Sequence, residues 1–129
     1  MRTYNFIYAI LLPLIFIRGL YKSLKFGEKL SRNFERLSIF NGRKGSKSII
    51  LVHAVSVGEV LASRKFVEEI KKRFPEHQIL ITCSTQTGSM TIKRLYGNSV
   101  LHQYMPYDLK FCIRRFLEYW KPEITFILE

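Results

Sequence analysis

The 129-residue chain is 47% hydrophobic, ordinary for one small globular unit, yet it carries a formal net charge of +11. Residues 1–48 hold +8 of that charge and residues 49–129 hold +3, so the cations gather beside the longest apolar run. This placement points to an anionic membrane surface or a phosphorylated lipid. It argues against nucleic acid, whose recognition needs a basic face interleaved with aromatic or base-reading residues, and none is present.

Residues 6–17, FIYAILLPLIFI, are apolar without interruption, and residues 4–20 extend the stretch. As a helix those seventeen positions are roughly 25 Å long, the short limit for crossing a hydrocarbon core. Tyr4, Tyr8 and Tyr21 suit the interfaces, and Arg18, Lys22 and Lys25 can snorkel. No small-x-small site follows, which disfavours a cleaved signal peptide. A buried core helix remains open for so short a run. The favoured reading is a membrane-anchor helix over 1–21, spanning or monotopic, whose positive flank keeps the rest of the chain in the cytoplasm.

Residues 22–48 read as a basic juxtamembrane region. Leu24, Leu30, Phe34 and Leu37 have rough helical spacing, which predicts an amphipathic helix on the bilayer; a solvated connector is the alternative. NGRKGSKS at 41–48 is a loop on composition.

From residue 49 the pattern alternates. The runs 48–54, 78–83, 99–105 and 123–128 read as strands. Between them lie helices at 60–74, 88–96 and 109–120, closed by Pro75, Gly97 and Lys121-Pro122. The first helix puts Val60, Val67, Ile70 and Phe74 on one stripe. Such alternation predicts an α/β fold with a Rossmann-like parallel sheet over 49–129. Ligands of such sheets bind beyond the carboxyl ends of the strands. Glu59, the STQTGS loop (84–89), the MPYDL loop (105–109) and Glu129 all fall on that rim. A strand ending at the last residue suggests a piece of a longer protein.

Cys83 and Cys112 lack a CxxC pattern and read as buried free thiols. His53, His77 and His102 show no metal-ligand spacing, so no metal site is expected.

The stretch HAVSVGEV (53–60) admits two readings. Ser56 and Glu59 fit a capping box, with Ser56 at the N-cap and Glu59 at N3. Glu59 is equally placed to take a proton from a substrate. Gly58 is awkward for the first reading, because glycine inside a helix costs up to about 1 kcal/mol relative to alanine. It makes sense if something approaches the backbone closely. Ser84, Thr85, Thr87 and Gly88 precede another helix, a composition suited to a phosphate or sugar, or simply to an N-cap and a turn.

HAVSVGEV, then ITCSTQTGS, then YMPYDL, then a strand ending in ILE, resembles the N-terminal half of bacterial 3-deoxy-D-manno-octulosonic acid (Kdo) transferases. The resemblance covers about residues 49–129, and an N-terminal anchor with a basic flank is also typical of that family. It implies the N-terminal, acceptor-side domain of a two-domain GT-B glycosyltransferase. The activity implied is transfer of Kdo from CMP-Kdo to a lipid A precursor in lipopolysaccharide biosynthesis, at the bacterial inner membrane and without a metal cofactor. Glu59 then matches the general base and Glu129 a transition-state stabiliser, with Ser56, Gly58, Ser84, Thr85, Thr87 and Gly88 around the substrate. The alternative is an inactive, membrane-bound acceptor-binding fragment of such an enzyme. A nucleotide-binding module of another kind would show GxGxxG or GxxxxGK[ST], and neither occurs.

Overall fold

A computed structural model describes residues 2–40 and 45–129 of the chain. Four parallel strands, β1 (Ile49–Ala54), β2 (Gln78–Cys83), β3 (Leu101–Tyr104) and β4 (Ile124–Leu128), form one sheet in the order β3-β2-β1-β4. The helices are α1 (Arg2–Phe26), α2 (Val57–Arg73), α3 (Gln86–Tyr96) and α4 (Lys110–Trp120). The expected α/β class and parallel sheet are what the chain forms.

Both faces of β1 and β2 are covered, which is why these strands read as continuous apolar runs, whereas β4 leaves Thr125 and Ile127 exposed on one face. Ile50, Val52, Ala54, Ile79 and Ile81 meet Val60, Val67 and Ile70 of α2 and Ile92 and Tyr96 of α3. On the opposite face Ile49, Leu51 and Leu80 meet Phe116 and Trp120 of α4, with Phe40 packed against them. Cys83 and Cys112 are buried free thiols. Phe74, expected on the α2 stripe, packs only partly buried at the C-cap.

Within the sheet domain three element starts differ from expectation by two residues or more. α2 begins at Val57, not 60, because Ser56 and Glu59 close a capping box around its first turn. α3 begins at Gln86, so most of the expected 84–89 loop is helix. Its N-cap is Thr85, whose side chain accepts from the Gly88 amide at 3.0 Å. β3 is shortened because Gly97–Ser99 coil into a 3₁₀ turn.

α1 runs on to Phe26, past the expected anchor end at residue 21. Phe6–Phe26 is long and apolar enough to cross a membrane, and almost none of it is buried. Phe6, Ile10, Leu14 and Ile17 are exposed apolar side chains on it. Gly27 then takes a left-handed conformation (φ 68°) and reverses the chain, the Glu28 amide reaching back to the Ser23 carbonyl at 2.9 Å.

The segment after that turn packs onto the rest of the chain, while Leu24, Leu30 and Phe34, expected on the apolar face of an amphipathic helix, stay exposed. Leu30–Leu37 forms a 3₁₀ helix, η1, laid against α1 and the end of β3. Asn33 is buried there, donating to Ser23 at 2.7 Å, and Phe16 meets Phe34 edge-on at 5.5 Å. Of the expected 41–48 loop, positions 41–44 lie outside the described residues.

Candidate functional site

The strand order decides where the site lies. The chain lays β2 and β3 on one side of β1 and then returns β4 to the other side, so the topological switch point lies between β1 and β4. Open α/β sheets bind ligands at that crevice, outside the strand ends. The residues leaving β1 there are Ser56, Gly58 and Glu59. Leu128 pairs with Ala54, so Glu129 emerges next to Val55. On the other flank the Ser84 amide donates to the Val55 carbonyl at 3.0 Å, drawing the end of β2 onto the same rim.

Glu59 sits at N3 of α2. Its carboxylate accepts from the Ser56 amide at 3.1 Å and from the Ser56 hydroxyl in a short hydrogen bond. The Ser56 hydroxyl, then the helix amide, hold its pKa below the ordinary carboxylate value, so the group is an anion through neutral pH. The capping role is therefore formed. An ionised carboxylate is also the state a proton acceptor requires.

The glycines divide. A Cβ on Gly58 would meet nothing within 4 Å, and its φ is unexceptional. Neither packing nor backbone geometry calls for glycine at that exposed position. A Cβ on Gly88 would lie 2.9 Å from Thr85 Oγ1 and 3.4 Å from Cys83 Cβ. Gly88 is buried with its amide already bonded, so packing of α3 against the end of β2 explains it.

Beside this rim a groove of about 660 Å³ runs between α1 and the start of α3. Ser84, Thr85 and Thr87 line one wall, whereas Ser56, Gly58, Glu59, Gly88 and Glu129 do not reach it. The other wall is α1, with Ile15 and Phe26 beside Arg18, Lys22 and Lys25. Among the described residues four cations, Arg36 included, line this groove and no carboxylate does. A hydroxyl-lined wall faces a wall that is apolar and cationic.

Sequence reasoning put Gln86 and Tyr107 in rim loops without naming them as site residues, and it missed Arg36. Tyr107 belonged to a recognisable motif. Arg36 was one cation in a basic run, and only its contacts distinguish it: it donates to the Ser84 carbonyl at 2.9 Å and lies 4.2 Å over the Tyr104 ring.

These features define a Rossmann-like α/β domain with a carboxylate at its switch point and a cationic, hydroxyl-lined groove beside it. The family model described as 3-deoxy-D-manno-octulosonic-acid transferase (kdotransferase) matches residues 30–129, and the chain belongs to this enzyme family. The transferase of Haemophilus influenzae is 40% identical over 80 residues, 62% of this chain and 19% of the relative. That of Rickettsia bellii is 33% identical over all 129 residues, covering 31% of its own length. The Bordetella pertussis protein of the same name is 35% identical over 86 residues. The chain thus spans between about a fifth and a third of the length of these relatives. No solved structure matches it.

Proposed function

We propose that this chain is the acceptor-side part of a membrane-associated GT-B glycosyltransferase that moves Kdo from CMP-Kdo to a lipid A precursor. The observation that carries the reading is the pairing of an ionised Glu59 at the switch point with a carboxylate-free cationic groove beside an apolar helix. The acceptor fits that pairing. Its phosphates suit Arg18, Lys22 and Lys25, its sugar hydroxyls suit Ser84, Thr85 and Thr87, and its acyl chains suit the exposed face of α1.

In this mechanism the acceptor hydroxyl attacks the anomeric carbon of Kdo as CMP departs. Glu59 takes the hydroxyl proton, typically a gain of about 10²–10⁴-fold in rate. The Glu129 carboxylate on the same rim favours the positive charge developing on the sugar. The open space over Gly58 lets the acceptor approach the first turn of α2. CMP carries its own phosphate, and the mechanism asks for no metal. The donor binds mainly to a second domain, so the 129-residue chain by itself binds acceptor and does not complete transfer. The anchor places the rim on the cytoplasmic side of the bacterial inner membrane.

The test is transfer of radiolabelled Kdo by a full-length transferase bearing this segment with Glu59→Gln. Gln keeps the capping geometry and removes the base, so the turnover rate falls by about 10²-fold or more. Wild-type turnover would remove Glu59 from the mechanism.

A further inference from the structure

The apolar helix does not hang from the domain by a loose tether. Arg32 of η1 is 11% exposed and bonds to three partners. Its Nη1 donates to Glu28 Oε1 and to Ser89 Oγ, both at 2.6 Å, and its Nε donates to Glu35 Oε1 at 3.1 Å. Glu28 belongs to the turn leaving α1, while Ser89 belongs to α3, so one guanidinium bridges the anchor side and the domain side.

The rest of the cluster completes the joint. Tyr104, at the carboxyl end of β3, donates its hydroxyl to Glu28 at 2.9 Å and its amide to Glu35 at 3.0 Å. Arg32 and Arg36 lie over its ring at 4.5 and 4.2 Å. Two carboxylates and two guanidiniums thus balance around one aromatic ring. On the domain side the hydrogen bonds have a fixed direction. The Ile81 carbonyl can only accept, so His102 donates to it through Nδ1–H at 2.9 Å. Its Nε2 therefore accepts from the Ser89 hydroxyl at 2.7 Å, leaving the Ser89 oxygen to accept from Arg32.

On the anchor side Gly19 makes the approach possible. A Cβ there would stand 2.9 Å from Asn33 Oδ1. Among the described residues, hydrogen bonds from α1 to the domain are few. Gln86 donates to Ser23 at 3.1 Å, and the Tyr4 hydroxyl reaches Asp108 at 3.4 Å on the exposed surface.

We infer that Arg32 is a positioning residue: it locks the apolar helix at a fixed angle to the sheet's carboxyl edge. The arrangement requires arginine rather than any cation. A planar fork serves three acceptors, on the turn after α1, η1 and α3, at once, whereas a lysine ammonium on a flexible stem cannot hold all three in that plane. The lock keeps the two walls of the groove in register and fixes the height of the rim above the bilayer. That consequence for transfer rests on the function proposed above; the lock itself does not.

The experiment measures two distances by pulsed electron paramagnetic resonance on the 129-residue chain in phosphatidylglycerol-containing nanodiscs. One pair of spin labels joins Ile10 of α1 to Lys65 of α2, and the second joins Lys65 to Lys110 within the domain. Wild type gives a narrow distribution for both. Arg32→Gln broadens or shifts the first and leaves the second unchanged, Arg32→Lys does so in part, and Ser89→Ala, which cuts only the link to α3, also broadens the first. Arg64→Gln, in an exposed ion pair on α2, changes neither. Two narrow wild-type distances in both Arg32→Gln and Ser89→Ala would overturn the inference. So would loss of the intradomain distance in Arg32→Gln, which would make Arg32 a support of the fold. Kdo transfer by the full-length enzyme reads the consequence separately: Arg32→Gln raises KM for the lipid acceptor several-fold while kcat changes little. A fall in kcat alone would detach the lock from acceptor placement, with the distances still judging the lock.

Discussion

The Ser84 amide donates to the Val55 carbonyl at 3.0 Å, and this bond joins the two halves of the site. Val55 leads into the capping box that holds Glu59, and Ser84 leads into the wall of the cationic groove. The switch-point carboxylate and the groove therefore share one backbone frame.

The base role proposed for Glu59 predicts a pH dependence of transfer in the full-length enzyme. Its pKa lies below the ordinary carboxylate value, chiefly through the Ser56 hydroxyl, so the base form persists to lower pH than usual. The acid limb of kcat/KM then falls below the usual carboxylate range. Ser56→Ala removes the largest cause and moves that limb upward, measurable in a pH–rate profile of the full-length enzyme. A limb that ignores Ser56→Ala would assign it to another group. Melting temperature separates the two roles: Glu59→Ala loses the cap and melts lower, while Glu59→Gln stays near wild type.

The two glycines predict opposite outcomes for stability. Gly58→Ala meets no atom and gains roughly 0.5–1 kcal/mol in a helix. Gly88→Ala drives a methyl group into Thr85 and Cys83 and costs about 1–3 kcal/mol. Urea unfolding of both variants reads the difference directly. If Gly58 leaves room for the acceptor, the more stable Gly58→Ala variant is the less active one.

His102 makes the domain sensitive to acid. Burial lowers its pKa from 6.5 to about 4, so the folded state holds it neutral. Between those values the unfolded chain binds the extra proton. Stability is therefore fully present above about pH 6.5 and declines as pH falls toward 4, by roughly 3 kcal/mol in total. Burial lowers the pKa of His53 as well, with the same sign. In a series of melts from pH 7 to about pH 4, His102→Gln flattens the decline. An unchanged slope would place the sensitivity elsewhere.

Lys22 and Lys25 line the groove, whose lining among the described residues includes no carboxylate. Replacing both with Gln weakens binding to phosphatidylglycerol vesicles, and the difference shrinks with salt because the Debye length falls to about 10 Å at 0.1 M. Binding to uncharged phosphatidylcholine vesicles, which depends on α1, changes little. Co-sedimentation across a salt titration checks both statements.

The elements were legible because each rests on a short-range rule. Buried strands show as β-branched runs, and Val60, Val67 and Ile70 mark the inner face of α2 by their spacing alone. The capping box at Ser56 and Glu59 was equally local. The start of α3 was misread because Ser84 to Ser89 has turn composition, and only the bond from the Gly88 amide to Thr85 shows where the helix begins. Gly58 and Gly88 looked alike in sequence. Their surroundings separate them, one open and one pressed against Cys83.

The sequence by itself determined the alternation of strands and helices, the apolar first helix and the residue types on the rim, since periodicity and composition act over a few neighbouring residues. It also determined the family, through motifs in a fixed order. The tertiary structure decided which strands are neighbours, and so that Glu59 and Glu129 flank the switch point. It also decided the fate of the basic segment. Arg32 and Arg36 are spent on Glu28, Glu35, Ser84, Ser89 and Tyr104, while Lys22 and Lys25 stay open to the groove. A run of like charges carries no mark of which members will be buried. That depends on where the chain, turning at Gly27, brings the carboxylates to meet them.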